Sequence, residues 1–464
     1  MRRSALLTLA AGMVLYALFF ARPHPTPGPP MRDFEAYYAA GTAWRHGIDP
    51  YGTMIWQTER TLPGVAARRN ELLPFVGPPA SLPVWAAFSR LSFYQANALW
   101  RTLLLISLAL LAFVALRLAG IPLTLQAALA TIIFSLGFGP VTSSIALGQV
   151  ALPAYAFAAF ALLWPAAAVC AWIQPNVAIA LASQVLRKNG ALVFAATAAL
   201  FALGCAIVGG TSGLTHYATI LKEHAGAERF SAIQITPAAI AYGFGAGEST
   251  AQVTGTLAAT AAIIAWAYGM YVLRDNIARF CATCALLPFA IQFFHEHDLV
   301  VLFIPALFLA TRCSARVWPA ACVAALFCAT DWIGLAQRPD GASQTVLLVG
   351  AAGIALFAMR GDLPLRALFA PAGVLVVIGI AAAYAQTHPA PVWPDAMRAS
   401  PVALNGNAAH VWHAEQAASG LLEPDIFWAL LRCGSLAGCA ALAYAGLINS
   451  IFPARSKSPL RAPA

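Results

Sequence analysis

The sequence predicts an all-α, polytopic membrane protein, and three observations carry that reading. Of the 464 residues 60% are hydrophobic and 10% charged, with a mean hydropathy of +0.73; soluble domains carry far more charge. The apolar residues gather into runs, many of roughly 18 residues or more, the length a helix needs to cross a bilayer. The basic residues behind the net charge of +9 largely punctuate these runs, where they set topology. No repeat, heptad or basic-aromatic patch argues for nucleic acid, so none is expected as a partner.

Met1-Arg2-Arg3 and the apolar run Ser4–Ala21 read as an uncleaved first helix, since the run is long for a signal peptide and its cleavage site weak. Residues 22–78 then form an extracytoplasmic loop: a Pro-rich linker from Pro23 to Pro30, a helix within Met31–Gly52, and a second helical stretch near Ile55–Leu62. In MRDFEAYYAAGTAWRHGIDPYG, Asp33 and Glu35 open the pattern, and Phe34, Tyr37, Tyr38, Gly41 and Trp44 recur at i, i+3, i+4 and i+7. Gly47 closes the helix, and Asp49-Pro50-Tyr51-Gly52 is a turn. This helix is expected to lie along the membrane surface with its acids facing a cavity. Asp33 is either a functional acid or simply the helix N-cap.

Leu82–Leu91 is too short to span and reads as an interfacial helix. Spans follow at 97–118, 122–138 and 148–164. Pro165–Ile173 and Pro175–Leu186 are each about half a membrane thickness and meet at Gln174-Pro175-Asn176; broken backbone in a membrane is tolerated where it lines a cavity. Further spans at 191–208, 252–273, 280–294, 299–312, 317–335, 343–359, 365–385 and 425–448 bring the expectation to about 12 full spans and two half-helices. Arg117, Arg187, Lys188, Arg274, Arg279, Arg312, Arg316, Arg360 and Arg366 fall on one side, with Arg2, Arg3 and the 453–464 tail. That side is the cytoplasm of a cell (inner) membrane protein with both termini inside. Segments 22–78, 209–251, 336–342 and 386–424 fall outside, and 1–464 reads as a single integral domain.

Polar residues converge at the outer ends of these spans. His295-Glu296-His297-Asp298 interrupts an apolar run, where four ionisable residues are costly unless they face a polar cavity. The cluster reads as a structural turn, a metal site, or a substrate-binding or acid–base site. It is not HExxH, and on a helix His295 and His297 would diverge, so no metal is expected. Gly148-Gln149 opens a span; Gln174 and Asn176 flank Pro175, whose half-helix would aim its positive end at the cavity, as suits a phosphate. Lys222, His224 and Arg229 add cationic groups there or form a solvated loop face. The nine cysteines form no framework: five lie inside apolar runs, and Cys281-x-x-Cys284 has no second pair at zinc spacing.

The run D-F-x-x-Y-Y-x-A-G-x-A-x-x-x-G-x-x-P-Y from Asp33 to Tyr51 resembles the first-loop signature of glycosyltransferase family 87, membrane enzymes of the GT-C fold. Pro78-Pro79, Gly148-Gln149 and H-x-H-D at His295–Asp298, then Leu302 and Pro305, fit in the same order. Two positions depart: Val150-Ala151 stands where Asn is frequent, and Ile173-Gln174 replaces a basic residue before the half-helix Pro. The resemblance covers roughly the first 310 residues; the last third matches only as generic spans. It implies a GT-C-type helical bundle and an inverting hexosyltransferase, using a polyprenyl-phosphate-linked sugar donor and a lipid or glycan acceptor at the outer surface. Mannose is the expected sugar. Asp33 matches the single carboxylate base, and no cofactor is implied. Glu35, Tyr37, Tyr38, Gln149, Gln174, Asn176, Lys222, Arg229, His295, His297 and Asp298 are the candidate substrate contacts.

Two other classes fit parts of the pattern. A transporter or flippase of polyprenyl-linked or small polar substrates also uses half-helices, but is expected to carry ionisable groups deeper in its spans. A structural or assembly membrane protein would use the outer loops as docking surfaces. The acid-led helix favours the enzyme.

Overall fold

A computed structural model describes residues 31–52, 54–62, 73–314, 316–332, 348, 365–385 and 408–451. The expected first helix, the Pro-rich linker, nearly all of the 343–359 span, the 336–342 loop, Arg360 and the 453–464 tail lie outside these residues. The described chain is helical, and its one β feature is an isolated antiparallel bridge between Gln234 and His295.

The helices, in order, are α1 (Phe34–Arg45), α2 (Ile55–Arg60), α3 (Leu82–Phe88), α4 (Phe93–Ala119), α5 (Leu125–Gly137), α6 (Gly139–Leu147) and α7 (Ala151–Phe160). Next come α8 (Ala168–Ala171), α9 (Pro175–Ala178), α10 (Gly190–Glu228), α11 (Pro237–Gly243), α12 (Glu248–Val272) and α13 (Asn276–Ala290). The set closes with α14 (Phe303–Arg312), α15 (Trp318–Ala329), α16 (Leu365–Ala385), α17 (Ala408–Ala418) and α18 (Ile426–Ile451).

Among the described residues five helices are long and apolar enough to cross a membrane: α4, α10, α12, α16 and α18. The chain is therefore a membrane protein by length and composition of its helices. Helix α4 shows how local chemistry sets a span. Ser92 and Gln95 cap its start reciprocally, and its last turn ends on Gly120 in the left-handed region. Its 27 residues reach about 40 Å at roughly 1.5 Å per residue, more than the hydrocarbon thickness of about 30 Å.

Several expected spans are shorter than their apolar runs. The run 148–164 folds into α7, which stops at Phe160; the runs 280–294 and 317–335 give α13 and α15, also under span length. Run 122–138 becomes α5, and a further helix, α6, occupies residues that hydropathy left as a gap. The half-helices do form: a 3₁₀ turn, Pro165–Ala167, leads into α8, and α9 continues as the 3₁₀ segment Ile179–Gln184. The loop expected over 209–251 is largely helical. Helix α10 breaks at Gly210 (φ 59°, ψ −169°) and runs on to Glu228.

Helix α1 is packed inside the protein rather than exposed along one face. Phe34, Ala36, Tyr37, Tyr38, Ala39, Ala40 and Ala43 are buried on all sides of it, whereas Trp44, expected on the apolar face, is 36% exposed. It is wedged against α3 and α4. A Cβ on Gly41 would come within 2.2 Å of the Trp85 carbonyl carbon and oxygen, so only glycine permits this approach. Tyr37 stacks on Trp85 with ring centroids 4.7 Å apart, and Phe34 stacks on Trp100 at 6.1 Å.

Candidate functional site

Asp33 occupies the N-cap position of α1 but caps nothing: its side chain makes no cap hydrogen bond and its backbone is already helical (φ −77°, ψ −18°). A capping residue adopts extended backbone and accepts from the first turn. The Asp33 carboxylate is held instead from outside the helix. Gln149 Nε2 donates to Oδ2 in a short hydrogen bond, and Arg32 Nε donates to Oδ1 at 3.3 Å. Tyr37 Oη, one turn along α1, donates to Gln149 Oε1 at 2.9 Å. The two carboxylate oxygens thus accept from Gln149 and Arg32, and Gln149 is oriented by Tyr37.

Gln149 reaches Asp33 because Gly148 turns the chain there. Gly148 ends α6 with φ 78°, and a Cβ on it would meet Met31 Cβ at 2.8 Å. Its carbonyl accepts from Trp100 Nε1 at 2.8 Å, while Asp33 N donates to Leu147 O at 2.9 Å. Helices α1, α4 and α6 are thereby tied at one point.

Asp33 lines a cavity of about 460 Å³ together with the His295–Asp298 segment, Gln174 and Asn176. The segment is neither an open turn nor an α-helix. His295 is extended (φ −94°, ψ 171°), and Glu296–Leu302 forms a 3₁₀ helix whose first three residues are buried. His295 N donates to Asp298 Oδ2 at 3.0 Å, the reach-back of an N3 carboxylate to the N-cap backbone that a capping box makes. Gln174 Nε2 donates to Asp298 Oδ1 at 2.6 Å. The half-helix break therefore serves to present Gln174 and Asn176. With four α-helical residues followed by a 3₁₀ segment, α9 carries little of the dipole expected of it.

The expectation that His295 and His297 diverge is corrected. Their rings stack with centroids 5.1 Å apart, because His295 lies outside the helix that carries His297. One ring nitrogen of each and a carboxylate oxygen of Asp298 lie within 4.8 Å of one another.

A third group of residues completes the cavity, and the sequence reading missed most of it. Glu228, at the end of α10, is buried and meets four side chains. His295 Nε2 lies 2.9 Å from Oε2, Gln234 Nε2 donates to Oε2 at 2.6 Å, Trp412 Nε1 donates to Oε1, and His224 Nε2 lies 3.5 Å from Oε1. Gln234 also pins the 295 segment: its Oε1 accepts from Phe294 N at 2.8 Å, beside the Gln234–His295 bridge. The i, i+4 pairing of His224 with Glu228 was a readable signal; Trp412 had none, lying far along the chain.

Four predicted contacts stand away from the cavity. Glu35 is fully buried behind α1, and Tyr38 Oη donates to Leu91 O at 2.8 Å. Neither lines the cavity, and neither do Lys222, which is exposed, and Arg229, which is half-buried. The helical continuation of α10 turns His224 and Glu228 inward and those two cations elsewhere. Tyr37, Gln149, Gln174, Asn176, His295, His297 and Asp298 do line it with Asp33, and Arg32 joins them.

The electrostatics are mixed. Four carboxylates (Asp33, Glu228, Glu296 and Asp298) share the lining with Arg32 and three histidines. Burial pulls the His295 pKa down, but the Glu228 carboxylate beside it prevails, aided by Asp298 and Asp33, so the imidazole titrates above its usual range. Burial raises Asp298, only partly offset by His295 and by hydrogen bonds from Asn176 and Gln174. Burial also raises the Tyr37 phenol, reinforced by Asp33 and Asp298. It stays protonated and donates to Gln149. No protein-family model, curated protein or solved structure matches this chain.

Proposed function

We propose that the chain is an inverting glycosyltransferase of the GT-C type, moving a sugar, mannose first, from a polyprenyl-phosphate donor to a lipid or glycan acceptor. The observation that carries this reading is the Asp33 carboxylate: not engaged in helix capping, held by Gln149 and Arg32, and lining a cavity that His295, His297 and Asp298 also line. A base and imidazoles in one cavity suit a reaction whose leaving group is an anion.

In the proposed step the acceptor hydroxyl gives its proton to Asp33 as its oxygen bonds to the anomeric carbon. The bond from that carbon to the phosphate oxygen breaks from the opposite face, and the phosphate departs with the electron pair. No acid is needed at a phosphate already ionised; positive charge and hydrogen-bond donors suffice. Arg32 and the two histidines are the groups in reach of that role, and histidine donates near neutral pH. The polyprenyl chain would lie in the bilayer beside the bundle, with the site on the extracytoplasmic side, both termini in the cytoplasm, and about 12 spans in the whole chain.

The test is purified protein with polyprenyl-phosphate-mannose, followed for transfer and for slow hydrolysis. Asp33→Asn is expected to fold and bind donor normally while transfer falls by at least about a hundredfold. Transfer near the wild-type rate would leave the mechanism without a base. His295→Ala and His297→Ala, if both left turnover and donor affinity untouched, would remove the His295–Asp298 segment from the mechanism.

A further inference from the structure

The geometry points to a divalent transition-metal site at His295, His297 and Asp298. Three observations converge on it. The first is the ligand set: two imidazole nitrogens and a carboxylate oxygen lie within 4.8 Å of one another, on a buried segment that lines the cavity. His297 Nε2 and Asp298 Oδ1 are 3.9 Å apart. Ligands about 2.1 Å from a tetrahedral ion stand about 3.4 Å from each other, so this pair closes by about half an ångström, and atoms as far apart as the 4.8 Å limit by more than one.

The second observation is the support behind the ligands. Glu228 Oε2 sits 2.9 Å from His295 Nε2, and that carboxylate is itself fixed by Gln234 and Trp412. Nε2 faces Glu228 and Gln234, so Nδ1 is the nitrogen His295 would turn to an ion, giving up the contact its side chain makes with the Asp298 backbone N–H. A carboxylate on the far nitrogen of a metal-binding histidine sets its tautomer and raises its basicity. Asp298 is steadied in the same way by Gln174 Nε2 at 2.6 Å. The third is charge. The cavity carries four carboxylates against one guanidinium and three histidines, a lining on which a bound phosphate gains from a further cation.

Two imidazoles and one carboxylate select a borderline ion of the Zn²⁺ or Mn²⁺ class over Mg²⁺ or Ca²⁺, which prefer oxygen ligands. Three protein ligands leave a coordination position open toward the cavity, where a phosphate oxygen would bind. Metal binding stands on the ligand set alone; within the proposed transfer reaction, on which its use rests, the ion would neutralise the leaving group in place of the two imidazoles that hold it.

The experiment reads metal rather than turnover. Full-length protein in detergent is stripped with EDTA, equilibrated separately with Zn²⁺, Mn²⁺, Co²⁺ or Mg²⁺, and assayed for bound metal by mass spectrometry. One equivalent of Zn²⁺ or Mn²⁺ per chain is expected, with Mg²⁺ failing to displace it. The Co²⁺ form should show visible ligand-field bands. His297→Ala and Asp298→Asn should abolish stoichiometric binding, and Glu228→Gln should weaken it by about 10- to 100-fold. Absence of bound metal and of Co²⁺ bands in the wild-type protein overturns the site, whatever the variants do. Equal binding by wild type and folded His297→Ala overturns it as well. Transfer failing while metal binds would sink the proposed reaction but leave the site standing.

Discussion

Glu228 shows how one buried carboxylate organises its surroundings. Alone it would be costly, but His295, His224, Gln234 and Trp412 converge on its two oxygens. The consequence for His295 has a definite sign. Its pKa in the folded protein is raised above 6.5, so the stability it contributes is full below about pH 6.5 and is lost as pH rises through the folded value. Remove the Glu228 carboxylate and burial, which pulls the other way, is opposed only by the smaller contributions of Asp298 and Asp33. In metal-free protein, Glu228→Gln should therefore lose ground to wild type on acidification from pH 8 to pH 6. Thermal unfolding across that range checks it, with NMR of the His295 ring as the direct reading. A constant gap between the two proteins would mean that the pair is not ionic. Little of this was legible in the sequence. Asp33, Gln149 and the His295–Asp298 cluster stood out as polar residues among apolar ones, whereas Gln234 and Trp412 looked like ordinary loop residues. Their role comes only from tertiary convergence.

At the scale of elements, α1 depends on how closely it approaches α3. Gly41→Ala places a methyl 2.2 Å from the Trp85 backbone carbonyl, and backbone cannot move aside as a flexible side chain can. A destabilisation of about 1–3 kcal/mol is expected. Transfer should fall as well, since a shifted α1 carries Asp33 away from Gln149. Unchanged melting in that variant would mean that α1 and α3 stand further apart than described here. The helical period in Met31–Gly52 was readable, and α1, α2, α12 and the paired half-helices fall where spacing put them. The second half of α10 was not. Gly209-Gly210, followed by Thr211, Ser212 and Gly213, has the composition of a loop, and burial of His224 and Glu228 at the cavity and of Ile220 in the apolar core overrides it. Helix lengths were also misread, because hydropathy counts an apolar run without seeing where 3₁₀ turns and prolines such as Pro165 and Pro175 divide it.

At the scale of the molecule, the proposed threading puts α1 and its flanking turn outside the cell. Met54 is 48% exposed and offers a test. In a background free of the nine native cysteines, Met54→Cys should react with an impermeant maleimide in intact cells. Reaction only after permeabilisation would invert the topology and place the site in the cytoplasm. The membrane character of the chain was evident from composition, but the resemblance that suggested the chemistry stops near residue 310, and the last third seemed generic. It is not generic in the structure. Trp412 of α17 reaches the Glu228 carboxylate, and Arg432 of α18 donates from Nη1 to the backbone carbonyls of Ser231 and Gln234 at 3.3 and 3.2 Å.

That brace from Arg432 has a consequence for biogenesis. Asp33 emerges from the ribosome early and the His295–Asp298 segment midway. The carbonyls that hold Gln234, and through it the Glu228–His295 pair, receive their donor only when the final helix has been made and inserted. A nascent chain stalled before residue 432 thus displays its acids and imidazoles without the clamp that aligns them. The clamp is complete only when α18 docks against the loop after α10, so a chain lacking α18 carries the chemical groups without the brace on their alignment.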